Sequence, residues 1–407
     1  MTKHYDPSVK LHYVKMQFDS SPYAGEPWAL PRQLKNQQRR KTMMRRALYR
    51  GCLLGLAGGD AMGYTVDSRS WREIQEDYGP NGLLGYDLVN GYADVTSYTQ
   101  LAAFTLNGLL LGLTRGQVQG KMAPFYKYIA LSHREWSYSQ RSWNRPDQTL
   151  CWLLQHTEFL RRHCMDNRML DTLDRENFGS PEEPENSSSQ PGSLTAAVGV
   201  GMFFHRHKVP LTEIDRLGAE AVALTHGSPT AFISGAMAAH IITCILRKPD
   251  APLKAVYAHA MRDIREEFGH QYSQAYDICN QVRNAITYAG SKNLRPVDVM
   301  EKLKCNSCAE VLAGAVYASL ACDGDFDRAM ILAVNHSGRS AAVGALTGAI
   351  LGAKYGEKAL PEFYMECLEP VELLRELADD LYHGCTMEKG NKLYDLDWDR
   401  KYLHGGR

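Results

Sequence analysis

Gly51-Cys52-Leu53-Leu54-Gly55-Leu56-Ala57-Gly58-Gly59-Asp60-Ala61-Met62-Gly63 carries glycine at every fourth residue, and Gly344, Gly348 and Gly352 repeat that spacing late in the chain. The flanking residues have helical apolar spacing, yet each glycine in a helix interior costs about 1 kcal/mol relative to alanine. A row of them at one turn's spacing therefore marks a helix face that another backbone approaches closely. In a bilayer such rows pair membrane helices. These segments are too short and too polar at their flanks for that, so the spacing predicts tight helix packing inside a compact core.

Outward from these rows the chain reads as helix nearly throughout. Residues 99–113 are apolar on almost every side, as in a helix at the middle of a bundle. Helical spacing also runs through 148–163 (Leu150, Leu153, Leu154, Phe159), from Ala196, and over 211–224, 231–246, 253–268, 271–288, 296–303, 310–321, 326–334, 340–355 and 371–382. Ser228-Pro229 is an N-cap and first-turn pair for a helix over 230–246. No alternating run of useful length suggests a sheet. The fold class is all-α.

Three segments fall outside this pattern. Residues 1–45 form an N-terminal arm, broken by Pro22, Pro27 and Pro31 and ending in a basic run from Lys35 to Arg46. It reads as a solvated lead-in to the first helix, or as a partner-binding arm with Tyr23 and Trp28 as anchors. Residues 176–192, rich in Pro, Ser, Glu and Gly, form a mobile surface loop. Residues 386–407 form a C-terminal tail.

Lys+Arg and Asp+Glu both total 46, so the chain lacks the basic excess of a nucleic-acid binder. Ten cysteines in 407 residues are too dilute for a disulfide scaffold. Cys305-Asn306-Ser307-Cys308 has no second pair at zinc-finger spacing and reads as reduced thiols on a helix. The first residues lack the apolar core of a signal peptide, and no run of about 18 apolar residues appears. The expectation is a cytoplasmic protein with no membrane partner. Gly55 to Gly63 is no phosphate loop, since no Gly-Lys-Ser/Thr follows. His205 and His207 read as surface residues and His226 as a satisfied turn histidine.

Three stretches together resemble the ADP-ribosylglycohydrolase family, which includes the dinitrogenase-reductase activating hydrolases. They are Arg50 to Gly63 with its Gly-Asp-Ala-x-Gly end, Thr99-Gln100-Leu101-Ala102-Ala103-Phe104-Thr105-Leu106-Asn107-Gly108-Leu109-Leu110, and Ala333-Val334-Asn335-His336-Ser337-Gly338 with the helix after it. The resemblance covers residues 46–385. It implies a compact orthogonal helical bundle with two magnesium or manganese ions in a cleft. There the metals position an ADP-ribosyl group and a water that cleaves its glycosidic bond.

The resemblance also implies where the metal carboxylates would stand, in a Thr-Asp-Asp-Thr motif and a Gly-Asp-Thr/Ser-Asp-Thr/Ser motif. Here those read Thr96-Ser97-Tyr98-Thr99 and Gly338-Arg339-Ser340-Ala341-Ala342. Hard cations need oxygen ligands, and two close together need several negative charges. No metal is therefore expected. A family segment ending in Met-Arg is also missing, with Pro191-Gly192-Ser193-Leu194-Thr195-Ala196-Ala197-Val198 in its place.

Arg339 reads as an internal replacement for the metal, paired with Asp60. A ligand-binding cleft is expected from Asp60, Thr96, Ser97, Tyr98, Asn335, His336, Ser337, Gly338, Arg339 and Ser340. The expectation is a non-hydrolysing protein that binds a nucleotide-like or other anionic ligand, or a protein partner. The alternatives are a metal-independent hydrolase with Asp60 or Asp67 as general base, a metal enzyme drawing on Asp94, and a transferase-like activity.

Overall fold

A computed structural model describes residues 32–120, 122–141, 148–163, 166–204, 208–387 and 394–406, with side chains from Thr42 onward. Tyr23, Trp28, His205 and His207 lie outside the described residues. Thr42–Arg407 forms one compact unit.

The described residues contain 17 α-helices and no strand. In chain order they are α1 (Arg32–Tyr64), α2 (Trp71–Tyr78), α3 (Ser97–Gln119), α4 (Phe125–Arg141), α5 (Asn167–Leu173) and α6 (Ala196–Phe203). Then follow α7 (Leu211–Ala223), α8 (Pro229–Arg247), α9 (Leu253–Phe268), α10 (Gln274–Ala289), α11 (Pro296–Leu303) and α12 (Cys308–Ala321). The last are α13 (Phe326–Val334), α14 (Ser340–Tyr355), α15 (Glu362–Glu366), α16 (Val371–His383) and α17 (Leu396–Leu403).

The two glycine rows face each other. A Cβ on Gly51 would lie 2.4 Å from the Gly352 carbonyl oxygen, one on Gly55 2.2 Å from that of Gly348, and one on Gly59 2.0 Å from that of Gly344. The register falls on one helix as it rises on the other, so α1 and α14 run antiparallel with their backbones in contact. Gly63 ends the row against the Ala341 backbone. Contacts this close exclude every side chain and gain dispersion and Cα–H···O attraction instead.

Around this pair the core is built from helices with almost no solvent face. Tyr98 to Thr114 of α3 are all buried. Helix α8 packs against α6, α7, α9, α10, α12 and α14. By length and composition it is apolar enough to cross a membrane, and 83% of that window is buried inside the fold. Its apolarity is thus accounted for by its central position.

Several expectations change on the structure. Residues 148–163 make two 3₁₀ turns, Trp152–Gln155 and Thr157–Phe159, rather than an α-helix. The Glu135 carboxylate of α4 accepts from the Leu150 and Cys151 amides, stopping the chain there, while Leu153, Leu154 and Phe159 still reach the core. The basic run before Met43 belongs to α1, and Arg46 and Arg50 of that helix pair with Asp379 of α16. Residues 176–192 have no regular structure but are fastened: the Ser188 and Ser189 carbonyls accept from the Ser228 and Cys308 amides. Residues 386–407 include α17, whose Trp398 and Tyr402 are buried and bonded to Thr114 and Asp380.

The α1–α14 contact generates a stability prediction. Gly55→Val or Gly348→Val forces a side chain into a backbone carbonyl that cannot yield, and should lower unfolding free energy by at least about 3 kcal/mol. Gly85→Ala, with nothing within 4 Å of its Cβ, should stay within about 0.5 kcal/mol in the same denaturant titration.

Candidate functional site

The C-terminal end of α1 and the turn after it supply two carboxylates, Asp60 and Asp67. Each one caps the N-terminus of a different helix. Asp60 is fully buried. It accepts from the Thr96 amide at 2.8 Å, the Thr96 hydroxyl at 2.7 Å, the Thr99 amide at 3.0 Å and the Thr99 hydroxyl at 2.6 Å. Those groups sit at the start of α3, where free amides and the helix dipole favour a negative charge. Thr96 is the N-cap of that helix, and its own oxygen accepts from the Tyr98 amide. Burial pushes the Asp60 carboxyl up to about 6, against the downward pull of the Thr99 and Thr96 bonds.

Asp67 does the same for α14. Its Oδ1 accepts from the Ala341 amide at 3.0 Å, and its Oδ2 accepts from the Ser68 hydroxyl at 3.1 Å. Arg339 Nη1 lies 3.6 Å from Oδ2. Burial raises the Asp67 carboxyl, while the Ala341 amide and the Arg339 charge oppose the rise.

Arg339 therefore pairs with Asp67, not with Asp60 as the sequence suggests. The reason is steric: all four donors at Asp60 come from Thr96 and Thr99, which leaves no approach for a guanidinium. Arg339 also donates to Ser68 Oγ at 3.0 Å and to Gln190 Oε1 at 3.1 Å, and its side chain remains 38% exposed. Gln190 belongs to the 176–192 segment, which the sequence did not connect with the site.

Other expected ligand groups are taken up by the fold. Asn335 accepts from the Leu83 amide and donates to the Leu83 and Ile331 carbonyls. His336 is fully buried, bonded at Nε2 to the Ala333 carbonyl and at Nδ1 to the Gly338 amide, and burial pulls it down to about 4. It is a neutral ring with a fixed tautomer. Ser337 binds Glu301 through both its amide and hydroxyl, and also accepts from the Trp71 amide. The Ser340 hydroxyl donates to the His336 carbonyl. A Cβ on Gly338 would meet the Lys304 carbonyl at 2.4 Å, and Lys304 and Cys305 are both left-handed there.

Two expected residues remain uncommitted. Ser97 begins α3 half-exposed. Tyr98 is buried, and its hydroxyl makes no hydrogen bond to a described residue. Burial raises it, with Asp67, Arg339, Asp60 and Cys308 as its charged or ionisable neighbours. Asp94 is paired elsewhere, 3.3 Å from both Arg161 and His163. His226 is buried in its turn, bonded to Ser193 and Thr225.

The Asp60 cap has a measurable signature. Its folded pKa lies above the usual carboxylate value, so the folded chain keeps a proton that the unfolded chain releases. The stability this group contributes is greatest below about pH 4 and declines as pH rises to about 6. Asp60→Asn should abolish that part of the pH slope in thermal unfolding. Asp60→Ala, which strands buried donors, should cost about 2–3 kcal/mol.

The family model for ADP-ribosylglycohydrolase matches residues 41–391. An uncharacterized protein from Archaeoglobus fulgidus is 28% identical over 337 residues, covering 82% of this chain and 95% of that protein. A solved structure titled as an ADP-ribosylglycohydrolase-related protein complex superposes with a TM-score of 0.56 at 22% identity, over 84% of this chain and 99% of that one. That structure shares the helical fold, and the family match spans the glycine rows, both caps and the junction between them. The chain belongs to the ADP-ribosylglycohydrolase family.

Proposed function

We propose that this chain is a non-hydrolysing member of its family that binds an ADP-ribose-like or other anionic ligand where α3 and α14 begin. The observation that carries the reading is the commitment of Asp60 and Asp67 to helix caps. Magnesium and manganese require several free oxygen donors. Both Asp60 oxygens already accept amide or hydroxyl protons, and both Asp67 oxygens are engaged by Ala341 and Ser68. Ser97, Tyr98, Ala341 and Ala342 supply no carboxylate, and Arg339 adds a permanent positive charge. Two like unit charges 4 Å apart repel by about 4 kcal/mol at an effective dielectric of 20, and a dication roughly doubles that. This donor set does not fit a pair of hard cations.

The same arrangement favours an anion. Arg339 is partly exposed and held by Ser68 and Gln190, and its charge acts on Tyr98, whose hydroxyl bonds to no described residue. A guanidinium beside a phenol suits a phosphate or carboxylate. Hydrolysis is the second reading, and Asp67 is the observation in its favour: its side chain is 21% exposed and burial raises its carboxyl above the usual carboxylate value. Asp60 is too enclosed for that role.

Calorimetric titration with ADP-ribose separates these readings. Binding should weaken about 10- to 100-fold in Arg339→Ala, as for loss of a charged hydrogen bond. No ADP-ribose should be released from an ADP-ribosylated protein, with or without magnesium or manganese. Absence of binding to wild type and variant alike would reject the ligand reading. Metal-free turnover lost in Asp67→Asn would replace it with the hydrolase.

A further inference from the structure

Away from the α3–α14 junction, helices α7, α8 and α9 bring together a set of side chains that the proposed function does not use. His240 and Cys244 lie one turn apart on α8, and His259 and Asp263 one turn apart on α9, so each pair shares a helix face. The ligand atoms of His240, Cys244 and His259 all lie within 4.8 Å of one another. His240 Nε2 is 2.9 Å from His259 Nδ1 and 3.9 Å from Asp263 Oδ2, and His259 Nδ1 is 3.4 Å from that same oxygen. We propose that these four residues form a zinc site, with His240 Nε2, His259 Nδ1, Cys244 Sγ and Asp263 Oδ2 as ligands.

Three features support zinc binding over a chance polar contact. The first is the shell behind His240. Its Nδ1 is 3.0 Å from both oxygens of Asp215 on α7, and both residues are fully buried. A carboxylate on one ring nitrogen fixes the tautomer and aims the lone pair of the other at a metal. The second is size. Zinc with nitrogen at about 2.0–2.1 Å and sulfur at about 2.3 Å needs ligand atoms about 3.3–3.7 Å apart in a tetrahedron. Among His240, His259 and Asp263 the separations of 2.9, 3.4 and 3.9 Å bracket that range, and Cys244 Sγ lies within 4.8 Å of both imidazoles.

The third feature is donor chemistry. Two imidazoles, a thiol and a carboxylate meet here, a mixed nitrogen and sulfur set that suits zinc over magnesium or calcium. Four protein ligands close the coordination sphere, the arrangement of a structural site. Its effect would be to bind α8 to α9 across the 248–252 turn, with α7 holding His240 from behind. Zinc binding would release protons and become weaker as pH falls.

The test uses the full chain with any affinity tag removed, grown with zinc and dialysed before elemental analysis. The wild type should retain about one zinc per chain. Cobalt(II) added to chelator-treated protein should give a near-ultraviolet thiolate-to-cobalt charge-transfer band. Cys244→Ser should lose the band and His259→Ala should lose the zinc. Both residues are partly exposed, and circular dichroism of each variant should match the wild type. Asp215→Asn should keep the band while zinc affinity falls about 10- to 100-fold. A wild type with neither stoichiometric zinc nor the cobalt band would overturn the site, as would zinc retained undiminished in the Cys244→Ser/His259→Ala double variant.

Discussion

The backbone contact between α1 and α14 is the constraint on which the rest of the site depends. Six glycines, Gly51, Gly55 and Gly59 against Gly352, Gly348 and Gly344, let two helices approach until carbonyl oxygens occupy the space of a Cβ. Because the helices are antiparallel, the end of α1 meets the beginning of α14, with Gly63 set on Ala341. That register places Asp67 at the first amides of α14. Seven residues earlier, in the last turns of α1, Asp60 faces the start of α3. A side chain anywhere along the row would separate the helices and remove both carboxylates from their partners.

A carboxylate with its lone pairs filled by amides and hydroxyls is a poor ligand for a hard cation, and one with free lone pairs is a poor cap. Asp60 satisfies four donors without any cation, through the amides and hydroxyls at the α3 N-terminus. Asp67 has a weaker set of partners and draws on Arg339. Position along the chain sets this difference: Asp60, still in α1, is buried against the start of α3, whereas Asp67, in the turn after it, reaches the surface. Arg339 thereby becomes the charge that a ligand at this junction would meet first. His336, Asn335 and Ser337 hold the loop that presents it.

Much of the fold was legible because it is written in local signals. Helices α9, α11, α13 and α14 have the limits read from apolar spacing, where Pro296 opens α11 and Asp325 caps α13. Helix α2 was missed although Ser70 and Glu73 form a capping box, and α17 although Asp395 caps it. Residues 148–163 misled because apolar spacing reports burial, not the hydrogen-bond pattern beneath it. The site was legible as a set of residue types but not as a set of partners. Pairing Arg339 with Asp67 depends on the register of α1 against α14, and the arrival of Gln190 depends on how the 176–192 segment crosses the surface. The His240, Cys244, His259 and Asp263 group shows the same limit, since two ordinary one-turn spacings acquire meaning only when α8 and α9 lie side by side.

The central claim is that the carboxylates at this junction are structural caps and not ligands of hard cations. Thermal unfolding of the full chain, followed across a magnesium and manganese titration, tests it most directly. The account predicts a midpoint unchanged by either ion in wild type and in Asp60→Asn alike. A saturable rise in the wild-type midpoint, absent from Asp60→Asn, would contradict it.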